Sequence, residues 1–240
     1  IRPKRKEGFL KVISIFSFLG ITLGVAILII VMSVMNGFRS ELVGKILGFN
    51  PHIVVKSYEN KIKNDYKSIL NPLSKLIEKT ALSFNGEGIL ISPDNTKGVL
   101  IRGYTKKDLQ QLKFLKNGII EGSLENFDKK TISIGKGLAI SHNLLVGDEI
   151  VLMSTSSIQT IFGNLPIQEN FTITSIFDSG LSDFDHNIIF IPLKEAESLF
   201  NDDNKKVSLE IFLKEPEKVE VIKNRIENLF SDYIVFSWAD

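Results

Sequence analysis

From Val12 to Phe38 the chain carries no charged side chain. A bilayer core needs roughly 20 consecutive apolar residues in a helix, and this run is longer. A signal-peptide core is about 7–15 residues long and ends at a small-residue cleavage site; no A-x-A-like end is present. The run reads as an uncleaved transmembrane helix over 12–38, with a buried core helix as the alternative. Arg2, Lys4, Arg5, Lys6 and Lys11 precede it. A positive flank stays cytoplasmic, so residues 1–11 are expected in the cytoplasm and everything after about residue 38 across the membrane. Ile1 is not an initiator methionine, so a longer gene product is expected.

The helical pattern does not stop at the membrane. Phe38, Leu42, Val43, Ile46 and Leu47 keep the spacing past Arg39 and Glu41. Gly48 and Pro51 then end it. Residues 39–50 are thus expected to form a stiff stalk, a mechanical feature rather than a catalytic one. Within the span, Gly20 and Gly24 form a G-x-x-x-G pair, and Ser33 and Gly37 a second small pair. Small residues let helices approach closely in lipid.

The remainder alternates strand-like and helical patterns. His52–Lys56 reads as a strand, followed by a helical segment with Tyr66, Ile69, Leu70, Leu73, Leu76 and Ile77 on one side. Asn71-Pro72 is expected to break it. Gly88–Ser92 and Val99–Tyr104 read as paired strands around Pro93-Asp94-Asn95. Near the end come a strand Val207–Leu213, a helix Pro216–Phe230 and a strand Tyr233–Ser237. Two strand–helix–strand units can share one sheet covered by helices, an α+β layout. Between them lies a β-rich insert, with strands Lys130–Ile134, Glu149–Ser154, Phe171–Phe177 and Asn187–Ile191 and helices Gly137–Asn143 and Leu193–Phe200.

Several chemistries are disfavoured. A net charge of +1, from 29 basic and 28 acidic residues, leaves no nucleic-acid footprint. The absence of cysteine removes disulfides and thiolate catalysis. Gly135-Lys136-Gly137-Leu138 follows a strand and precedes a helix. It lacks the glycine and the Ser/Thr of a phosphate loop, so it reads as a turn for tight strand-to-helix packing. Asp183-Phe184-Asp185-His186 offers three metal-ligand types in four residues, but short polar clusters between strands are mostly turns. No G-x-S-x-G is present. The residues name no catalytic site, no metal site and no cofactor for this chain.

One segment of the insert is unusual. Ser157-Ile158-Gln159-Thr160-Ile161-Phe162-Gly163-Asn164-Leu165-Pro166-Ile167-Gln168 lies between two strands, is uncharged and is rich in large apolar side chains. Hairpin connections are ordinarily short and polar. An extended uncharged segment can add to a partner's sheet edge and offer alternate side chains to pockets. The competing reading is a hairpin folded back onto its own module.

Several strings resemble the lipoprotein-releasing permeases of the LolC/LolE family. They are Gly20-Ile-Thr-Leu-Gly24-Val-Ala, Val31-Met-Ser-Val-Met-Asn-Gly-Phe-Arg39 and Ile46-Leu-Gly48. Further on, Arg102-Gly103, Gly135-Lys-Gly-Leu-Ala139, Leu145-Val-Gly-Asp148 and Phe177-Asp-Ser-Gly-Leu181 through Ile191-Pro-Leu193 fit the same family in the same order. The resemblance implies a MacB-like periplasmic domain. Its Porter subdomain (51–111 and 205–240) would hold the two strand–helix–strand units, and its inserted β-rich Sabre would span 112–204. It implies a bacterial inner-membrane permease whose soluble part is periplasmic. It implies a LolD-like ATPase subunit that holds ATP and Mg, a second permease subunit, lipoprotein substrates and a LolA-like periplasmic carrier.

In that family a protruding Sabre loop, the hook, recruits the carrier; the matching segment is about 154–166. The resemblance makes Ile158, Ile161, Phe162, Leu165 and Pro166 the carrier-binding residues. Gln168 matches one residue of a second carrier contact, the pad, whereas Glu169 has the opposite charge to the family's arginine. With lipoproteins as cargo, the face of Val25, Leu28, Ile29, Met32 and Met35 is expected to meet acyl chains, and Gly20 and Gly24 a neighbouring helix. The alternatives are another MacB- or FtsX-like mechanotransmission permease, or a signal-anchored periplasmic sensor, binding domain or hydrolase.

Overall fold

The structure is a computed structural model that describes residues 5–57, 62, 65–93, 95–161, 163–201 and 207–238. It divides into two compact units, residues 1–46 and 47–240.

Helix α1 runs from Arg5 to Phe49 without interruption, so at 1.5 Å per residue it is roughly 67 Å long. Among the described residues it is the one helix long and apolar enough to cross a membrane. Its apolar side chains from Phe9 to Phe38 all stay exposed. A core helix would have its apolar side chains covered by protein, so this exposure supports the transmembrane reading. Glu41 and Lys45 pair at 3.4 Å beyond the span, the i,i+4 spacing that supports a solvated helix.

Among the described residues, the second unit is built on ten strands: β1 (Ile53–Lys56), β2 (Ile77–Ile91), β3 (Thr96–Tyr104), β4 (Ile119–Gly122), β5 (Thr131–Gly135), β6 (Glu149–Thr160), β7 (Gly163–Phe177), β8 (Ile188–Pro192), β9 (Val207–Leu213) and β10 (Ile234–Ser237). Short helices decorate them: α2 (Tyr66–Ile69), α3 (Lys106–Gln110), α4 (Lys113–Gly118), α5 (Lys136–Ser141), α6 (Ser182–Asn187), α7 (Leu193–Leu199) and α8 (Val219–Leu229). The strand order is β10-β1-β9-β2-β3-β8-β5-β7-β4, with β6 joined to both β2 and β7.

Strand β2 is the hinge of this topology. One edge pairs with β3 along Ser83–Ile91. The other edge serves β9 at Ile77–Phe84 and then β6 at Gly88–Ile91. The pairings therefore run in a closed circuit, β2-β3-β8-β5-β7-β6 and back to β2. Closure removes exposed edges. Phe84, Leu90, Ile101, Ile134, Leu152, Phe171, Ile189 and Ile191 fill its interior with α7 packed alongside.

A second cluster lies where β1, β9 and β10 meet α8, through Ile53, Val55, Leu209, Ile211, Val219, Ile222 and Ile226. The three α8 residues recur at helical spacing on one face, and burying each aliphatic side chain contributes about 1.5–3 kcal/mol. The third cluster occupies the opposite sheet face under α3 and α4, and it includes Phe49, the last residue of α1, 1% exposed.

Two local expectations change. The helical segment expected through Ile77 is instead the one-turn α2 and a 3₁₀ turn Asn71–Leu73, and Ile77 opens β2. Leu70, Leu73 and Ile77 do face one core, but a proline at the 3₁₀ turn lacks the donor a longer helix needs. Strand β2 also begins eleven residues before the expected Gly88 and passes straight through Asn85-Gly86-Glu87-Gly88. A Cβ on Gly86 would meet the Phe200 ring at 2.5 Å. That glycine serves a close approach, which is one of the uses of glycine in a strand interior.

Candidate functional site

The uncharged segment is a paired hairpin rather than a loop. Strands β6 and β7 stay in register to the tip, with Ser157 opposite Pro166, Ile158 opposite Leu165, Gln159 opposite Asn164 and Thr160 opposite Gly163. Only two residues, 161 and 162, connect them. Gly163 adopts φ +111° with open space around a built Cβ; backbone conformation, not crowding, makes glycine the suitable residue.

Between Met153 and Ser157 the register shifts, placing extra β6 residues opposite Ile167. Ser154 closes this bulge: its Oγ donates to the Ser156 carbonyl and accepts from the Ser156 N–H, both at 3.2 Å. Bulges bend a strand and increase its twist, and this one marks where the hairpin leaves the closed circuit. Strand β2 pairs with β6 only as far as Ser154, and β5 pairs with β7 only from Thr172. Beyond those points the stem is two strands wide.

A two-stranded stem covers little of its own surface. Ile158 is 48% exposed, Leu165 49% and Ile161, in the turn, 94%. Residues directly opposite share a face, so Ile158 and Leu165 form one apolar cross-strand pair. Pro166 and Ser157 lie on the reverse face. Proline in sheets is confined to edges and bulges, and Pro166 sits on the two-strand stem, beside the bulge. The folded-back alternative fails for Ile158, Ile161 and Leu165. Phe162 lies outside the described residues.

The stem base separates Gln168 from Glu169. Gln168 faces outward opposite Met153 and its Nε2 donates to Met153 Sδ at 3.3 Å. Glu169 lies opposite the buried Leu152 and points the other way. There its carboxylate accepts from Lys130 Nζ at 2.5 Å and from Ser198 Oγ at 3.4 Å. Lys130 also pairs with Glu195 at 3.2 Å. Lys130 is held above the usual lysine pKa: burial opposes this, but the Glu169 and Glu195 carboxylates outweigh it. Successive strand residues face opposite sides, so one flat partner surface cannot contact Gln168 and Glu169 together.

On α1, Val25, Leu28, Ile29, Met32 and Met35 fall within an arc of roughly 120° at 100° per residue, and each is more than half exposed. A Cβ built on Gly20 or Gly24 meets nothing within 4 Å. Among the described residues, nothing fills this small face.

The other motifs serve packing. A Cβ on Gly135 would meet the Asp185 carbonyl at 2.2 Å, and one on Gly137 the His186 ring at 2.4 Å, so the glycines let α6 lie against the β5–α5 turn. Asp185 Oδ1 accepts from the Ser179 N–H at 2.8 Å, and His186 Nδ1 bonds the Ser182 carbonyl at 2.7 Å. Both side chains hold their own helix turn.

Sequence reasoning missed one feature, a buried polar group beneath Phe49. Arg102 Nη2 donates to Glu210 Oε1 at 3.1 Å and to Tyr104 Oη at 2.6 Å. Tyr104 Oη donates to Glu210 Oε2 at 2.7 Å, and Ser83 Oγ to Glu210 Oε1 at 2.7 Å. Burial, foremost, pushes the Tyr104 hydroxyl well above its usual pKa. The Arg102 guanidinium sits 5.5 Å from the centre of the Phe49 ring. The only available signal was an arginine and a glutamate placed inside otherwise apolar strands, 108 residues apart.

Comparison with known proteins adds the context. The chain is 26% identical over 226 residues to the lipoprotein-releasing system transmembrane protein LolC of Neisseria meningitidis serogroup B, covering 92% of this chain and 54% of that protein. It is 30% identical over 210 residues to LolE of Haemophilus influenzae, covering 82% of this chain and 49% of that protein. The chain thus spans about half the length of the curated relatives it matches. Among solved structures, it is similar to the periplasmic region of MacB from Actinobacillus actinomycetemcomitans, with TM-score 0.48, 11% identity and coverage of 80% of this chain and 91% of that one. Residues 14–229 match the model of the MacB-like periplasmic core domain, and the chain belongs to that family.

Proposed function

We propose that this chain is the N-terminal part of a permease subunit that releases lipoproteins from the bacterial inner membrane to a soluble periplasmic carrier. In this reading the hairpin at 154–166 is the carrier-docking element. The observation that carries it is the paired stem that presents Ile158, Ile161 and Leu165 to solvent. A short stem already ordered as strands loses little conformational entropy on docking, and its unpaired edges and apolar pair offer both main-chain and side-chain contacts.

The rest of the reading follows from the span and the family. ATP is hydrolysed by a separate LolD-like subunit, and a second permease subunit packs against the Gly20–Gly24 face. The 51–111 and 205–240 segments act as Porter and 112–204 as Sabre. The face of Val25, Leu28, Ile29, Met32 and Met35 receives acyl chains, for which flexible methionines are suited. Gln168 is the pad contact, with Glu169 excluded by its bonds to Lys130 and Ser198.

The test is replacement of residues 157–165 by a two-residue Asn-Gly turn in the full-length permease. Capture of a purified LolA-type carrier should fall at least tenfold while assembly with the ATPase subunit is retained. Unchanged carrier capture would end the docking reading. For the membrane face, Met32→Asp should lower lipoprotein release more than it lowers assembly; equal loss of both would remove the acyl-chain role.

A further inference from the structure

His52 lies between the end of α1 and the start of β1, is 5% exposed, and uses all four of its polar groups. Its N–H donates to the Ile211 carbonyl and its carbonyl accepts from the Trp238 N–H, each at 3.1 Å. On the ring, Nδ1 receives the Leu213 N–H at 2.8 Å, and Nε2 bonds the Leu47 carbonyl at 3.1 Å. A backbone N–H can only donate and a carbonyl can only accept. Nδ1 must therefore be bare and Nε2 must carry the proton. Only the neutral ring, in that one tautomer, makes both bonds.

The two partners belong to different elements. Leu47 lies in the last turn of α1, whose final carbonyls have no intrahelical partners. Leu213 is the last residue of β9. We propose that neutral His52 is a clasp that fastens the last turn of α1 to β9, and that protonation of the ring opens it. A second proton would sit on Nδ1 against the Leu213 N–H, donor facing donor. It would also place a charge beside the Phe212 ring, 5.9 Å away.

The charged groups that face the ring come from β2 and from the turn before α8. Burial is the largest influence and holds His52 below the usual imidazole pKa. The Leu47 carbonyl, Glu78 and Glu217 oppose it, and Lys79 reinforces it. A histidine lowered in the fold keeps its contribution above the ordinary imidazole pKa and loses it as pH falls through the lowered value. The clasp is closed at neutral pH and opens in acid.

The experiment is hydrogen exchange on the 240-residue chain in lipid nanodiscs, corrected for intrinsic rates, from about pH 7 to about pH 5, the window in which histidine titrates. Lys79 is lowered only to about 8, so it is predominantly charged across this window. Protection of peptides covering 47–52 and 211–214 should fall about tenfold, while peptides from β5 and β8 hold theirs. In His52→Gln the pH step should vanish, whatever the starting protection. Nitrogen-15 spectra of the unmutated chain should show a bare His52 Nδ1 at neutral pH. An equal loss in β5 and β8, a step that survives in His52→Gln, or a protonated Nδ1 at neutral pH would each overturn the clasp.

Discussion

Phe49 is the last helical residue of α1, and its ring centre lies 4.1 Å from that of Phe114 and 4.2 Å from that of Phe184. With 1% of its surface exposed, it leaves a cavity if truncated. Phe49→Ala should destabilise residues 47–240 by about 3–5 kcal/mol, read as a lowered denaturation midpoint. Glu210 sits beneath it, accepts from Arg102, Tyr104 and Ser83, and is 1% exposed. Removing one member of a buried ion pair leaves the other uncompensated. Glu210→Ala should therefore also cost about 3–5 kcal/mol. The two losses should not add in the double variant, because both sites touch Arg102. Neither role was legible from sequence. Phe49 looks like any apolar stalk residue, and Arg102, beside Gly103, could be noticed only as a charge inside an apolar strand. The glycine itself is explained by α7, since a Cβ on Gly103 would meet Ala196 Cβ at 2.6 Å.

At the level of elements, legibility tracked how local the determining interaction is. The span needed no tertiary information, because an uncharged apolar run reports its solvent directly. Strands β5, β8 and β9 showed themselves as apolar runs, being buried on both faces or nearly so. Strand β2 did not, because its first half carries three consecutive polar residues, Glu78, Lys79 and Thr80, none of them buried, and its second half carries two glycines. Its partners β6 and β9, distant in sequence, impose the extended form on the part that the local pairing with β3 does not reach. The hairpin was legible as unusual but not as paired. Its register depends on a bulge at residues 154–156 that no turn signature announces. Ser154→Ala removes both bonds that close the bulge. It should cost about 1 kcal/mol and speed amide exchange in 155–160 more than elsewhere in β6.

For the whole molecule, the compact unit begins at Leu47, inside α1. A chain starting at residue 47 should fold as a soluble, cooperative domain. One starting at residue 53 loses Phe49 and His52 together and should be less stable by at least the cost of truncating Phe49, about 3–5 kcal/mol. Comparison of the two midpoints in urea checks this. A boundary placed at the membrane edge, near residue 39, is what hydropathy alone would recommend. The packing places it eight residues later, because the last helical turn belongs to the core of the second unit.

The two-strand stem beyond Ser154 has a geometric corollary. Side chains alternate faces with every residue, and a matched residue can be removed from each strand without touching the closed circuit. Removing the Ser157–Pro166 pair, which lies between the bulge and the apolar pair, would shorten the reach by about 3.3 Å and turn Ile158 and Leu165 to the opposite side. Removing the Gln159–Asn164 pair, on the tip side, would shorten the reach equally and leave their side unchanged. Binding lost in the first variant and kept in the second would report orientation, whereas an equal decline in both would report distance.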